Sequence, residues 1–139
     1  MVDQPSIEPK KAPPPELLVV DDDADLRGTL SDVLQEAGYH VRTAVHGGDA
    51  LARMQDGPLP DLILLDLLMP VMNGWDFMAE LKARPGLAAI PVVVTSAGGD
   101  HVLNSAPVCA GYLSKPVGRP RLLEIIARCL SLRHHAGHA

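Results

Sequence analysis

No stretch of this chain approaches the ~20 uninterrupted apolar residues that a membrane-spanning helix requires. Its opening residues carry neither the basic segment nor the apolar run of a secretion signal. Two cysteines, Cys109 and Cys129, are too few for a disulfide framework, so a reducing cytoplasm is the expected compartment. Basic charge is also short: 12 Lys and Arg stand against 17 Asp and Glu, a formal net charge of −5. That balance argues against direct nucleic-acid binding, which needs basic patches. No internal repeat is visible, and Gly47-Gly48 is accompanied by neither GxGxxG nor GK[ST], so it is no phosphate-cradling loop. What the chain does have is apolar content, 47% of 139 residues, enough for the core of one compact domain.

Residues 1–15 contain Pro5, Pro9 and Pro13-Pro14-Pro15 and almost no large apolar side chains, a composition that favours a disordered, extended leader. A proline-rich docking motif is the alternative for that segment. From Glu16 onward, strand-like and helix-like patterns alternate. A strand over 16–21 precedes a helix over 24–37 with Leu26, Leu30, Val33, Leu34 and Ala37 on one face, ended by Gly38. A second strand, 39–44, leads to a helix carrying Ala50, Leu51 and Met54. The apolar strand 61–65 and a loop through Pro70 to Asn73-Gly74 come next, followed by a helix carrying Trp75, Met78 and Leu81. Then come a strand at 92–95, a weak helical stretch at 99–109, a strand at 111–114 and a helix at 119–132. That last helix turns Leu122, Ile125, Ile126, Cys129 and Leu130 inward, which makes Cys129 an inert buried thiol. Residues 133–139, with His134, His135 and His138, read as a flexible tail rather than a metal site. Five strands alternating with helices give an α/β fold, a doubly wound five-stranded parallel sheet.

The chemistry lies where the strands stop. Leu62-Ile63-Leu64-Leu65 ends in Asp66, Leu17-Leu18-Val19-Val20 in Asp21-Asp22, and Val92-Val93-Val94 in Thr95. Tyr112-Leu113-Ser114 ends in Lys115-Pro116. Parallel strands bring these ends to one sheet edge, where open α/β sheets bind ligands. Three carboxylates placed together repel one another unless a cation joins them. Hard oxygen donors suit Mg²⁺, which usually takes one or two protein carboxylates together with phosphate oxygens. A nearby Lys and Thr are suited to the oxygens of a phosphoryl group, with one Asp as the nucleophile. Asp66, on the most apolar and so most central strand, is the candidate. The plainer reading, acids as helix N-caps, suits Asp23 and Asp25 but leaves Thr95 and Lys115 unexplained.

The set Val20-Asp21-Asp22, Leu65-Asp66, Met69-Pro70, Asn73-Gly74, Thr95-Ser96-Ala97 and Tyr112-Leu113-Ser114-Lys115-Pro116 resembles the receiver domain of two-component response regulators. The resemblance spans about residues 16–132 and implies the flavodoxin-like (βα)5 fold and a receiver of the single-domain type. It implies Asp66 as phosphoacceptor, Asp22 as direct Mg²⁺ ligand, Asp21 as holder of a metal-bound water, and the Leu68 carbonyl as a further ligand. Lys115 is then the partner of Asp66 or its phosphate, and Thr95 the donor to a phosphoryl oxygen. Tyr112 matches the aromatic that changes rotamer as Thr95 moves inward, and Lys115-Pro116 matches a bond that is cis in the family. The two family positions best placed to orient a hydrolytic water are Leu68 and Ala97 here; neither side chain hydrogen-bonds, so a long-lived phosphorylated state is expected.

One region departs from the family pattern. The segment between Thr95 and Lys115 is about two residues short, and 98–107 is a poor helix sequence closed by Pro107. It falls in what is usually the output surface, so 98–110 is expected to be mobile or only partly helical. The implied function is a phosphoacceptor switch, phosphorylated with Mg²⁺ by a histidine kinase or phosphotransfer protein. It is not an enzyme in the ordinary sense, although it catalyses its own phosphoryl transfer and a slow autodephosphorylation. Its partners are that donor and a downstream protein, with homodimerisation on phosphorylation as a further expectation and no membrane contact. Two alternatives stand beside it: a receiver-like scaffold that works without phosphate, and an Asp-nucleophile phosphatase of the haloacid dehalogenase type. The phosphatase requires DxDx[TV] on the first strand, whereas Asp66 sits in Asp-Leu-Leu-Met-Pro on the third.

Overall fold

The five-residue run Leu62–Asp66 forms β3, and every one of its side chains is buried, as the absence of polar alternation requires. Around it the chain builds β1 (Glu16–Val20), α1 (Ala24–Glu36), β2 (His40–Ala44), α2 (Gly47–Asp56), α3 (Gly74–Ala83), β4 (Val92–Ser96), β5 (Gly111–Ser114) and α4 (Arg119–Gly137). This computed structural model describes residues 13–69, 72–97 and 109–137, with side chains up to Leu132. The strands form one parallel sheet in the order β2-β1-β3-β4-β5, which puts Asp66 at the end of the central strand.

Strand alternation sorts the core into two layers. Leu18, Val20, Ile63, Leu65, Val92 and Val94 pack on the side of α2 and α3 with Ala50, Met54, Phe77 and Leu81. Leu17, Val19, Leu62, Leu64, Val93 and Leu113 pack on the side of α1 and α4 with Leu30, Leu34, Leu122, Ile125 and Ile126. Gly111 permits the second contact, since a Cβ there would stand 2.5 Å from Ile125 Cδ1.

Local signals set the helix ends. Asp23 caps α1 by accepting from the N–H groups of Asp25 and Leu26, and Gly38 follows at φ 102°. Asn73 caps α3 through the Asp76 N–H. Some positions differ from the spacing argument, Leu26, Val33 and Leu51 among them, which are only partly buried. Ala37 is exposed, because α1 ends at Glu36 and Ala37 already belongs to the cap. Trp75 and Leu130 are only partly buried, and Phe77 takes the innermost position of α3. α4 continues past Leu132 to Gly137, since no Pro or Gly interrupts it before that point. Cys129 is buried, and burial pushes its thiol pKa up. The first twelve residues, Pro70, the stretch 98–108 and the side chains of His134, His135 and His138 lie outside the described residues.

Candidate functional site

Register brings the site together. Asp66 is the direct partner of Thr95 across β3 and β4, and Thr95 in turn pairs with Leu113, two residues before Lys115. Asp21, Asp66, Thr95 and Lys115 share the parity of Leu17, Leu62, Val93 and Leu113, and so continue the α1/α4 face beyond its apolar part. Backbone bonds carry the ladder past the strand ends: Asp21 N–H to Ala44 O, Leu67 N–H to Thr95 O, and Lys115 N–H to Ser96 O. Four strands thereby aim their terminal side chains at one spot.

Asp21, Asp66 and Thr95 are buried, whereas Asp22 is exposed. Lys115 bridges the two buried acids, its Nζ 3.1 Å from Asp21 Oδ2 and 3.3 Å from Asp66 Oδ2. Asp66 Oδ1 accepts the Leu68 N–H at 3.2 Å, and Asp21 Oδ1 accepts the Asp23 N–H at 2.9 Å. Burial first, and the neighbouring Asp21 charge second, push the Asp66 carboxyl up from 3.8 to about 6 despite Lys115. Burial pulls the Lys115 ammonium down, but its hydrogen bonds and charge contacts with Asp21 and Asp66 outweigh that and leave it raised.

The donor set fits a small hard cation. One carboxylate oxygen from each of Asp21, Asp22 and Asp66 lies within 4.8 Å of the others. Opposite ligands of Mg²⁺ stand about 4.2 Å apart at its ~2.1 Å bond length. Two acids against one shared ammonium also leave the cluster short of positive charge.

The loop after β3 is shaped by Gly74. Its N–H donates to Leu67 O at 2.9 Å, and a Cβ on it would meet Leu67 Cα at 2.7 Å and Asp66 O at 3.2 Å. Asn73-Gly74 thus sets where α3 starts and lets it press against the Asp66 backbone. Leu68, 47% exposed, and the exposed Ala97 stand at the rim. Tyr112 pairs with Val94 rather than Thr95 and carries the opposite parity. It stands 39% exposed, in a side-chain hydrogen bond with Cys109. The Lys115–Pro116 peptide is cis. One residue the sequence did not single out also reaches the site: Arg27 Nη1 donates to Asp21 O at 2.8 Å. Its only sequence signal was a cation on the first turns of α1, which also fits an ordinary solvated residue.

Comparisons with known proteins agree with this geometry. The family profile of the response regulator receiver domain matches residues 17–127. The chain is 35% identical over 137 residues to the alkaline phosphatase synthesis transcriptional regulatory protein SphR of Synechococcus elongatus, covering 91% of this chain and 51% of SphR. It is 33% identical over 120 residues to PilH of Pseudomonas aeruginosa, covering 83% of this chain and 97% of PilH. The chain spans about half the length of the transcriptional regulators it matches. The crystal structure of the chemotaxis response regulator CheY4 of Vibrio cholerae superposes with a TM-score of 0.76 at 31% identity, covering 84% of this chain and 98% of that one. Receiver domains are signalling switches that bind Mg²⁺ in an acidic pocket and are phosphorylated by histidine kinases. Fold, site and relatives converge: this chain belongs to the response regulator receiver family.

Proposed function

We propose that Asp66 is the phosphoacceptor of a two-component or phosphorelay switch, charged by a histidine kinase or phosphotransfer protein. The observation that carries this reading is the arrangement of a buried Asp66 within 4.8 Å of two further acids and 3.3 Å from Lys115. Asp22, Asp66 and the Leu68 carbonyl would ligate Mg²⁺ directly, and Asp21 through water. The cation would supply charge neutralisation for an anionic donor entering an acidic pocket. Asp66 attacks phosphorus through a carboxylate oxygen; the bond from phosphorus to the donor nitrogen breaks, and the donor imidazole keeps the electron pair. Lys115, already facing Asp66 Oδ2, is placed to follow the charge onto the phosphoryl oxygens. Thr95, beside Asp66 in the ladder, supplies a hydroxyl to one of them. Tyr112 is the group that changes rotamer in response and alters the surface offered to a downstream protein or a second copy of the chain.

No described helix is long and apolar enough to cross a membrane, and we place the switch in the cytoplasm, where ATP-charged kinases supply phosphate. Hydrolysis of the aspartyl phosphate is slow in this reading, because Leu68 and Ala97 have no side-chain group to orient water. The test is incubation with Mg²⁺ and a small acyl phosphate, followed by intact mass. One phosphoryl adduct is expected, absent in Asp66→Asn and in chelator. An adduct that persists in either arm contradicts the assignment.

A further inference from the structure

Asp22 is the site carboxylate with nothing of its own to hold it. It is exposed, and its side chain has no hydrogen-bonding partner among the described residues. Its placement therefore comes from its neighbours in the chain, Asp21 and Asp23. Both are gripped by one residue. The Arg27 main-chain N–H donates to Asp23 O at 2.8 Å, as part of the first turn of α1. The Arg27 guanidinium reaches back past that turn and donates to Asp21 O, also at 2.8 Å. Asp22 lies between two carbonyls held by the same arginine.

The other contacts of Asp21 do not replace this clamp. Its N–H joins Ala44 O, which fixes the end of β1, and its carboxylate faces Asp23 N–H and Lys115. The contact with Lys115 is one that a cation entering the site would compete for. The Arg27–Asp21 bond goes to a main-chain carbonyl and occupies no carboxylate oxygen.

We propose that Arg27 is a positioning residue for the acidic pair: by holding the Asp21 carbonyl it fixes the direction in which Asp21 and Asp22 present their carboxylates toward Asp66. This rests on the reading of the cluster as a cation site. The role is opposed by charge, which makes it testable. A guanidinium bonded to the Asp21 carbonyl repels a divalent cation entering the cluster, so an arginine acting only through charge would weaken Mg²⁺ binding, and its removal would tighten it. An arginine acting as a clamp does the reverse, because its loss frees the turn and the turn must be reordered on binding.

The experiment is a calorimetric titration of the full chain with Mg²⁺ alone, for wild type, Arg27→Met and Arg27→Lys. Amide exchange at Asp22 and Asp23 is measured in the metal-free proteins. Arg27→Met keeps the aliphatic stem and loses the donors; Arg27→Lys keeps a charged donor and serves if the first variant folds poorly. We expect the Mg²⁺ dissociation constant to rise about tenfold in Arg27→Met, with part of the loss recovered in Arg27→Lys, in line with one charge-assisted hydrogen bond. Exchange at Asp22 and Asp23 should quicken in the same order. A dissociation constant for Arg27→Met equal to or tighter than wild type overturns the proposal. Failure of the wild-type protein to bind Mg²⁺ would instead overturn the reading of the cluster itself.

Discussion

Replacing Asp66 with Asn should stabilise the metal-free protein, and the gain should depend on pH. Burial and the Asp21 charge raise the Asp66 carboxyl from 3.8 to about 6, even after Lys115 is counted. The folded state therefore holds a proton that the unfolded chain has released between those two values. Stability from this group is fully present below the unfolded value and is lost as pH rises through about 6. A shift of roughly two pH units, at 1.36 kcal/mol each, amounts to about 3 kcal/mol of penalty at neutral pH. Asn avoids that penalty while its side-chain oxygen can still accept the Leu68 N–H, and Lys115 retains Asp21 at 3.1 Å. Urea unfolding of both proteins in chelator should show the variant about 3 kcal/mol more stable near pH 7.5 and about 1 kcal/mol more stable near pH 4.5. Saturating Mg²⁺ should close the gap by favouring the ionised wild-type carboxylate. A gap that is absent at neutral pH, or that does not shrink in acid, would refute the electrostatic argument.

Three further outcomes follow from the same geometry. Gly74→Ala should cost about 1–3 kcal/mol in chemical denaturation and slow phosphorylation, because its Cβ would fall 2.7 Å from Leu67 Cα beside Asp66; wild-type stability and rate together would contradict this. Lys115→Met removes the shared partner of two buried acids and should destabilise the protein by about 3 kcal/mol at pH 8, less in acid, with the Asp66 carboxyl titrating higher still. A pH-independent loss, measured by denaturation at two pH values, would show that packing rather than charge is at work. Leu68→Asn and Ala97→Glu should each speed the decay of phosphorylated protein once donor is removed, since both positions lie exposed at the rim; unchanged decay in both would mean that these side chains do not limit hydrolysis.

The sequence made the sheet and its edge legible because β3 carries no polar alternation and ends in Asp66, just as Asp21 directly follows β1 and β4 holds Thr95. A strand buried on both faces leaves little freedom in where its first charge can sit, and parallel order brings the ends of β1, β3 and β4 to one edge. Helix faces were less legible. Phe77 is the innermost residue of α3, but Trp75, Met78 and Leu81 trace a helical face as well without it, and only packing distinguishes the two. The end of α4 at Gly137 was hidden because amphipathic spacing stops at Leu132 while the backbone has no reason to stop. Arg27 and the steric role of Gly74 were out of reach for another reason. Each acts on the main chain of a residue six or seven positions away, and no side-chain pattern records a bond to a carbonyl or a Cβ that is missing.

The central claim is that one carboxylate, that of Asp66, carries the phosphoryl group. Borohydride reduces an aspartyl phosphate to homoserine with release of phosphate, marking the acceptor permanently. After charging with Mg²⁺ and a small acyl phosphate, reduction and peptide sequencing by mass, homoserine should appear at position 66 alone. Homoserine at position 21 or 22, or at none of the three, would contradict the account.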